Sequence, residues 1–374
     1  MVKKKKRYCC LFTRTENVHL IKDVGMIPYI LTKYYSIDGR VATYDNGPYE
    51  YIDTEVNGLG MDIITKFFGN SKIDSIIYLF KKSREIDILQ IFHPNLNSAM
   101  QGFLYKILNK SGKVYLKLDC TLDYIENSKG AFPPKGLKGN ILFYMLRNKI
   151  DLITGETTGI CNYLNDNFGL KVKYIPNGFF DDNIHNPYKT IEKENIIITV
   201  GRIGTLEKDN KTLLKSFSNI KNQIPNWKLR IIGPIEEEFK IYIKAYFDEN
   251  PDLIDRVIFT GLISNRDELD AEYKKAKIFC LTSISEGFPL VFTEAMKNGN
   301  YIISTDIDSA KDIIKDTEYG QIFSKKNITQ LSEILLNVCS IDNNNMDNYS
   351  NKIIERAYNE FNWINICEKI LKNF

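Results

Sequence analysis

Short runs of apolar residues alternate with longer amphipathic segments along almost the whole chain of 374 residues. The short runs are rich in Val, Ile and Tyr, which is typical of parallel strands covered by helices on both faces of a sheet. In the first half of the chain they predict strands at RYCCLF, RVATY, IDILQIFH, KVYLKLD, DLITG and KVKYIP. Helical periodicity lies between them, as in DVGMIPYILTKYY, which Pro28 interrupts, and in SKIDSIIYLFKKSR.

The pattern breaks at residues 175–195, where turn-forming and charged residues replace it. A second set of predicted strands follows, at IIITVGR, WKLRIIG, RVIFTG, KIFCLT, NYIIST and GQIFS. The fold class is therefore α/β, with one Rossmann-like domain at residues 1–175, a linker at 176–194 and a second Rossmann-like domain at 195–345. We expect the two domains to face each other across a cleft, with ligands at the carboxyl ends of the strands.

Composition narrows the class of protein. The chain carries 50 basic and 47 acidic side chains, so its formal charge of +3 creates no global field that would attract nucleic acid. Its seven cysteines include no CxxC pair, which predicts a reducing, cytoplasmic setting without structural zinc. No GxGxxG follows the first predicted strand and no Walker A motif occurs, which excludes a Rossmann dehydrogenase and a P-loop kinase or ATPase.

A candidate anion site follows the first strand of the second set. Arg202 lies at the strand end, and Lys208 lies six residues later, before a predicted helix. At the carboxyl end of a strand, a planar guanidinium and a point-charge ammonium can bind one diphosphate together. The pair alone is equally typical of a solvated loop, so it needs a second feature to support it.

The second feature is the segment SISEGFPLVFTEAM, residues 283–296, which joins a predicted strand to a helix. Pro289 suits the first helical position, and the free amides at the helix start form an anion site beside the two cations. Carboxylates repel a phosphate, so Glu286 and Glu294 fit a ligand whose diphosphate continues into hydroxyl-rich sugars on either side. The competing interpretation makes Glu286 a partner of the helix dipole and Glu294 a solvated residue.

With these segments the chain resembles the retaining glycosyltransferases of the GT-B fold, in the large family 4 group. The resemblance is carried by VGR…K…LLKSF, LRIIGP, VIFTGLI and above all SISEGFPLVFTEAMKNGNYIISTD, which matches the E-x7-E signature of that family. YIPNGF resembles the turn into the family's second domain. NEFNWINICEKILKNF resembles its terminal helix, which implies that residues 346–374 return to the first domain. The resemblance is strong over residues 174–323 and topological over most of residues 1–170.

The resemblance implies that the cationic loop and the helix start bind the donor's phosphates. Arg202 and Lys208 would bind the diphosphate of a nucleotide sugar. The backbone around Gly287, Phe288 and Leu290 would contact the same phosphates. Negative charge builds on the departing diphosphate during glycosyl transfer, so fixed cations and amides stabilise the transition state and no metal or other cofactor is expected.

The resemblance also implies roles for the residues on either side of the phosphates. Glu294 would accept hydrogen bonds from the ribose, and Glu286 would face the transferred sugar without acting as a nucleophile. The base would pack near Gly233, Leu262 and Ile263, mostly against backbone. We therefore expect the catalytic groups to include Glu286 together with the two cations, and, from the strand ends of the first domain, Asp119 and His93.

The first loop of the first domain departs from the family. It lacks the family's Gly-Gly pair and holds a lone Gly25. Two interpretations stay open for His19, Lys22 and Asp23, which line the cleft or belong to a surface loop.

Two further positions depart from the family. Its members often place a histidine after a middle strand, where this chain has Asp119, and His93 ends the preceding strand. Two interpretations stay open for both Asp119 and His93: either the residue contacts the donor sugar or the acceptor, or its role is structural. In the second domain, the triplet from Asp306 to Asp308 has the DxD form that binds metal in the other main glycosyltransferase fold. Its position argues against that use, so we interpret Asp306 as a strand end and Asp308 as a helix cap.

Residues 132–149 alternate basic and apolar side chains, which would suit a helix on an anionic membrane surface. An amphipathic helix packed on its own sheet is the competing interpretation. The leading hypothesis is a retaining, metal-independent hexosyltransferase that moves a sugar, from a UDP-sugar by preference, to a hydroxyl of a glycan or lipid-linked acceptor. It would act in cell-surface polysaccharide or glycoconjugate synthesis, in the cytoplasm or at the inner face of the membrane. The alternatives are a nucleotide-sugar epimerase of the same fold, which three histidines support poorly, and a non-catalytic sugar-nucleotide-binding partner subunit.

Overall fold

Two compact units make up the chain, and each is built around one parallel sheet. The computed structural model describes residues 5–127, 136–182 and 192–374, so residues 183–191 of the predicted linker lie outside the described residues. The first unit comprises Met1–Phe180 and Asn362–Phe374, and the second comprises Asp181–Phe361. In the described part of the chain, no helix combines the length and apolarity that crossing a bilayer requires.

The first unit has a sheet of parallel strands in the order β3-β2-β1-β4-β5-β6-β7. Its strands are β1 (Arg7–Leu11), β2 (Asp38–Thr43), β3 (Gly60–Ile63), β4 (Ile88–Phe92), β5 (Lys113–Lys117), β6 (Leu152–Gly155) and β7 (Val172–Tyr174). Its helices are α1 (Asn17–Leu20), α2 (Asp23–Tyr35), α3 (Ser71–Lys82), α4 (Leu96–Leu108), α5 (Leu122–Asn127), α6 (Leu137–Lys149), α7 (Thr158–Phe168) and, from the end of the chain, α15 (Trp363–Leu371).

Every strand predicted for the first half of the chain is confirmed, because each is an apolar run that helices cover on both faces. The edge strand β3 was not predicted. Its residues are half-buried or exposed, so its sequence GMDI lacks the apolar run on which the prediction depended. On this sheet α4 packs between α3 and α6, while α2 packs against α15.

The second unit has a sheet of parallel strands in the order β10-β9-β8-β11-β12-β13. Its strands are β8 (Glu194–Val200), β9 (Lys228–Ile232), β10 (Val257–Gly261), β11 (Ala276–Leu281), β12 (Tyr301–Thr305) and β13 (Gly320–Phe323). Its helices are α8 (Asn210–Ile220), α9 (Glu237–Glu249), α10 (Arg266–Lys275), α11 (Leu290–Lys297), α12 (Asp308–Ile313), α13 (Ile328–Cys339) and α14 (Asn343–Phe361). The predicted strands of this half are likewise confirmed, and all six residues of β11 are buried at the centre of the core.

The last two helices belong to different units. The sequence assigned residues 346–374 as a whole to a segment that returns to the first domain, but α14 packs against α11 and β12 of the second unit. The segment that belongs to the first unit begins at Asn362. There the buried Trp363 donates its backbone N–H to the Phe179 carbonyl at 2.9 Å, and the Tyr35 hydroxyl donates to the Ile364 carbonyl at 2.9 Å.

A carboxylate ties α10 to α11 in the second unit. Asp270 Oδ1 accepts hydrogen bonds from Lys297 Nζ at 3.0 Å and Asn298 Nδ2 at 2.9 Å, and Lys274 Nζ lies 2.6 Å from Oδ2. Burial works against ionisation of Asp270, but Lys297 and the other two donors outweigh it and lower the pKa of this carboxyl to about 2. The charge on Asp270 therefore stabilises the position of α11.

Candidate functional site

The carboxyl ends of β8, β9 and β10 lie side by side and form one floor of the candidate site. Gly201 N–H donates to the Ile232 carbonyl at 3.0 Å, and Gly233 N–H donates to the Gly261 carbonyl at 2.9 Å. Gly233 has φ of +138°, and a Cβ there would lie 1.8 Å from the Gly201 carbonyl oxygen. Only glycine fits this close approach, so the floor consists of backbone.

Lys208 and Glu286 meet above this floor. Lys208 Nζ donates to Glu286 Oε1, and the Ser283 hydroxyl donates to the same oxygen at 2.8 Å. The side chain of Lys208 also passes over Gly201, and its Cε lies 3.5 Å from the position that a Cβ on Gly201 would occupy. The side chains of Lys208 and Glu286 are only 17% and 18% exposed, so the ion pair is largely shielded from water. The sequence placed both residues at one site, and the structure brings them into contact.

The two loops that carry this ion pair are fastened to each other. Thr282 Oγ1 donates to the Lys208 carbonyl at 2.8 Å, and Ile284 N–H donates to the Glu207 carbonyl at 2.7 Å. The Thr305 hydroxyl in turn donates to the Ser283 carbonyl at 2.5 Å. Both side chains therefore start from backbone that is already held in place, which favours a site with fixed electrostatics.

Arg202, the other predicted cation, follows β8 on an exposed loop. No ion pair joins it to another residue in the part of the chain that the structure describes, in contrast to Lys208. Its guanidinium lies near Glu207, whose pKa is lowered mainly by hydrogen bonds from its own backbone and Thr205. Arg202 can therefore bind an anion without first breaking an ion pair, with the Glu207 carboxylate as its charged neighbour.

The helix start between the two glutamates is present, one residue later than predicted. α11 begins at Leu290, and Pro289 is its N-cap rather than its first helical residue. The side chain of Phe288 is buried and lies 6.0 Å from the Phe361 ring, so its backbone rather than its ring is left to contact a ligand. The amides at the start of α11 remain a suitable anion site, because the N-cap residue Pro289 gives them no side-chain hydrogen bond.

Glu294, on α11, is held by two residues that the sequence reasoning missed. Its Oε1 accepts a hydrogen bond from Arg266 Nη2 at 3.1 Å, and its Oε2 accepts one from the Tyr273 hydroxyl at 3.1 Å. The glutamate is 17% exposed, whereas Arg266 is 43% exposed. Burial, with the nearby Glu294 carboxylate, raises the pKa of Tyr273 well above its ordinary value. Glu294 is thus an oriented carboxylate rather than the solvated residue of the competing interpretation.

The residues predicted to contact a base follow β9 and β10. Gly233 is buried in the floor, Leu262 is 67% exposed and Ile263 is partly exposed. An exposed leucine beside a floor of backbone offers an apolar contact but no hydrogen-bonding side chain that could read a base.

In the first unit, His93 and Asp119 lie next to each other at the ends of β4 and β5. His93 Nδ1 lies 3.2 Å from the Asp119 carbonyl oxygen, and the His93 N–H donates to the Lys117 carbonyl at 3.0 Å. Both residues have positive φ, 64° for His93 and 38° for Asp119, which is uncommon for residues other than glycine. The Asp119 side chain is exposed, so the two strand ends present an imidazole and a carboxylate.

A buried charged cluster lies beside them at the ends of β5, β6 and β7, and the sequence reasoning missed most of it. Lys117 Nζ donates to Glu156 and lies 3.5 Å from Asp23 Oδ2, while Asn177 Nδ2 donates to Glu156 at 3.0 Å. Burial works against the charge on Lys117, but Glu156 and Asp23 outweigh it and raise its pKa, so the lysine stays charged. Burial raises the pKa of Glu156 to about 7. The signal for this cluster in the sequence was a lysine at the end of an apolar strand.

The three polar residues of the first loop, for which the sequence left two interpretations open, have different surroundings in the structure. Asp23 is buried, so it does not belong to a surface loop. His19 accepts a hydrogen bond from the Glu16 N–H at 2.9 Å through Nδ1, which caps the short helix α1, and Lys22 is partly exposed. Gly25 is required where it stands, because a Cβ there would lie 2.2 Å from the Leu20 carbonyl oxygen.

The DxD triplet does not gather metal ligands. Asp306 follows β12 as interpreted, and its Oδ1 lies 3.1 Å from Lys311 Nζ. Asp308 is the first residue of α12 rather than its cap, which is Ile307. Within the described ranges, no three His, Cys, Asp or Glu side chains are grouped so that they could hold a metal ion.

Two Rossmann-like units with parallel sheets define the GT-B fold of glycosyltransferases, and comparison with solved structures shows this fold. The structure of Anabaena HepE in complex with UDP and glucose superposes with a TM-score of 0.70 at 15% identity, over 99% of both chains. The lipopolysaccharide outer core galactosyltransferase WaaB superposes with a TM-score of 0.68 at 18% identity, over 99% of both chains.

Sequence comparison supports the same class over the second unit. Residues 180–360 match the family model described as Glycosyl transferases group 1. The chain is 28% identical to the amylovoran biosynthesis glycosyltransferase AmsD of Erwinia amylovora, over 57% of this chain and 58% of that protein. It is 32% identical to an undecaprenol-linked glycan α-1,4-N-acetyl-D-galactosaminyltransferase of Campylobacter jejuni, over 41% of each chain. The matches thus span between two fifths and three fifths of these relatives' length.

Proposed function

We propose that the protein is a glycosyltransferase of group 1 that uses a nucleotide-diphosphate sugar. The observation that carries the proposal is the contact between Lys208 and Glu286 beside the uncapped start of α11. We infer that the Lys208 ammonium, the Arg202 guanidinium and the amides of α11 bind one diphosphate together, so that the sugar lies against the Glu286 carboxylate. The match of residues 180–360 to the family model and the UDP complex of HepE support the same assignment.

We further propose that transfer retains the anomeric configuration and needs no metal. The bond between the anomeric carbon and the diphosphate oxygen breaks, and the acceptor hydroxyl oxygen bonds to the same carbon on the same face. The departing phosphate oxygen takes the hydroxyl proton. Arg202, Lys208 and the α11 amides stabilise the charge that builds on the diphosphate, which is the part of a metal ion's role that this reaction requires.

Each carboxylate has its own part in the proposal. Glu294, oriented by Arg266 and Tyr273, accepts hydrogen bonds from the ribose hydroxyls. Glu286 contacts the hydroxyls of the transferred sugar once the diphosphate draws Lys208 away. His93 and Asp119 present polar groups at the strand ends of the first unit, where we propose that they contact a sugar of the donor or the acceptor.

The donor and acceptor classes follow the relatives. UDP is the nucleotide we favour, since HepE was solved with UDP and with UDP and glucose. AmsD takes its name from amylovoran biosynthesis, and the Campylobacter enzyme takes its name from an undecaprenol-linked glycan. We therefore propose a glycan or lipid-linked acceptor, reached from the cytoplasmic side of a membrane, and a role in polysaccharide or glycoconjugate synthesis.

Nucleotide release from a panel of UDP-, GDP- and other activated sugars tests the proposal. We expect turnover with one donor and a fall of about 100-fold or more in Lys208→Ala, because removing one donor to a developing oxyanion typically costs that much. Asp308→Ala, which changes a charge in the same unit at the start of α12, is the matched control and should change turnover little. Tight binding of one donor without hydrolysis or transfer would instead indicate a non-catalytic binding partner.

A further inference from the structure

Three neighbouring helices of the first unit carry charge of almost one sign. α3, α4 and α6 lie side by side with α4 in the middle. Their basic residues are Lys72, Lys81, Lys82, Lys106, Lys138, Arg147 and Lys149, whereas Asp74 is their one acidic residue. The whole chain is nearly balanced, with 50 basic and 47 acidic side chains, so the excess on these helices is local.

The single acid does not offset this charge at the surface. Asp74 is fully buried, where its Oδ2 accepts a hydrogen bond from the Tyr44 hydroxyl at 2.8 Å and its Oδ1 accepts one from the Phe68 N–H at 3.0 Å. The basic residues, in contrast, are exposed or half-buried. Acids of neighbouring segments offset two of the basic residues, since Lys82 pairs with Glu85 and Lys106 pairs with Asp151. Among the residues that the structure describes, the other five basic residues form no ion pair, so the outward side of the three helices keeps a net positive charge.

The same side exposes large apolar side chains. They are Ile73 and Phe80 on α3, Met100 and Ile107 on α4, and Leu137, Ile141 and Tyr144 on α6, and we call them, with the basic residues, the three-helix face. Phe80 is 61% exposed and Leu137 is 74% exposed. Single exposed apolar residues are common on protein surfaces, but a group of them on three adjacent helices indicates an interaction surface.

The exposed residues of α6 are not its packing face. α6 buries Gly139, Leu142 and Leu146 in the unit's interior. Leu137, Ile141 and Tyr144 follow one another at helical spacing on a different stripe. α6 therefore packs within its own unit, as one of the two interpretations expects, and it also exposes a separate apolar stripe. Residues 132–135 of the predicted segment lie outside the described residues.

The face continues to the edge of the sheet beside β3. Phe67 and Phe68 are 54% and 70% exposed there, and Lys81 Nζ lies 4.4 Å from the centroid of the Phe67 ring. A pocket of about 330 Å³ opens between β3 and α3, lined partly by Ile63 and Ile77. Aromatic rings interleaved with lysines are the arrangement that amphipathic surfaces use at the boundary between lipid headgroups and acyl chains.

We propose that the three-helix face binds the surface of a bilayer that contains anionic phospholipids. Cations attract the headgroups, and exposed Phe, Leu and Tyr side chains enter the boundary with the acyl chains. The combination favours lipid over the other occupants, because protein interfaces are depleted in lysine and nucleic acid offers no acyl region for leucines. The proposal goes beyond the glycosyltransferase assignment, since it involves neither the donor site nor turnover.

Vesicle flotation with the full-length protein tests the proposal. We expect wild type to float with vesicles of 60% phosphatidylcholine and 40% phosphatidylglycerol, and not with phosphatidylcholine alone. A cation near an anionic surface contributes about fivefold, so the triple variant Lys72→Gln, Lys81→Gln, Lys138→Gln should bind on the order of 100-fold more weakly. The variant Phe80→Ser, Tyr144→Ser, which keeps every charge, should bind about tenfold more weakly.

The matched control removes the same charge from the second unit. Lys215, Lys228 and Lys244 are exposed, and changing all three to Gln should leave flotation within about twofold of wild type. Equal loss in this control, or no binding by a wild type that still binds nucleotide, would overturn the proposal. So would a wild-type dimer that the Phe80→Ser, Tyr144→Ser variant turns into a monomer without any vesicle binding, because the face would then serve self-association. Unchanged melting temperatures in every variant exclude misfolding as the cause.

Discussion

Replacing Glu286 separates nucleotide binding from transfer, because this glutamate holds Lys208 in the unliganded site. Lys208 Nζ donates to Glu286 Oε1, and neither side chain is more than one fifth exposed. A diphosphate must therefore share or displace the contact before it gains the lysine. In Glu286→Gln the competing charge is gone while the shape of the side chain is kept.

The magnitude follows from the charges involved. A hydrogen bond between charged groups contributes about 1.5–3 kcal/mol, so Lys208→Ala should weaken UDP binding by about 10- to 150-fold. A carboxylate about 8 Å from a phosphate costs about 2 kcal/mol at an effective dielectric constant of 20, and partial exposure lowers that cost. Glu286→Gln should thus bind UDP about 3- to 10-fold more tightly, while transfer falls by about 100-fold or more because the sugar loses its partner.

Isothermal titration with UDP, beside turnover of the preferred donor, provides the measurement. In the double variant Lys208→Ala, Glu286→Gln, the change in UDP binding free energy should not equal the sum of the two single changes, because the two residues share one contact. Asp308→Ala serves again as the control with unchanged UDP affinity. The reasoning is wrong if Glu286→Gln weakens UDP binding tenfold, or if Lys208→Ala leaves it unchanged.

Three further predictions concern the second unit. Glu294→Ala should weaken binding of UDP by about tenfold and of 2′,3′-dideoxy-UDP much less, since the lost hydrogen bonds are those to the ribose hydroxyls; equal losses in titration calorimetry would contradict the role. Gly233→Ala should lower the free energy of unfolding in urea by about 3 kcal/mol or more, because its Cβ overlaps the Gly201 carbonyl. Gly261→Ala, also at positive φ but in open space, should cost only about 1 kcal/mol. Asp270→Asn should cost about 1–2 kcal/mol at pH 7, after allowance for its partial exposure. Because its folded pKa of about 2 lies below the ordinary value, this stabilisation is present above about pH 4 and is lost as the pH falls toward 2, so the gap to wild type in urea unfolding should narrow over that range.

The fold could be predicted because the strands are buried on both faces and therefore read as apolar runs. β3 was the exception, since an edge strand with exposed residues gives neither an apolar run nor a clean alternation. The prediction for residues 346–374 followed the family's terminal helix and could not show that α14 packs within the second unit.

The second unit's site could be predicted because its residues lie in two short segments with a recognisable pattern. Arg266 and Tyr273 were missed, since α10 reads as a charged surface helix and only the fold brings it to Glu294. The Lys117 cluster was missed for a related reason. Its members come from the ends of different strands and from the start of α2, and a single lysine at the end of an apolar run does not indicate which carboxylates surround it.

The return of Asn362–Phe374 to the first unit determines which fragments of this chain can be prepared. The second unit is one uninterrupted stretch, Asp181–Phe361, so it can be cut out as a single piece. The first unit is not, because α15 buries Trp363, Ile366 and Ile370 within it. A fragment that stops at Phe180 would expose to water the apolar surface on which α15 packs. An expression fragment of the first unit therefore has to join residues 1–180 to residues 362–374 through a short linker.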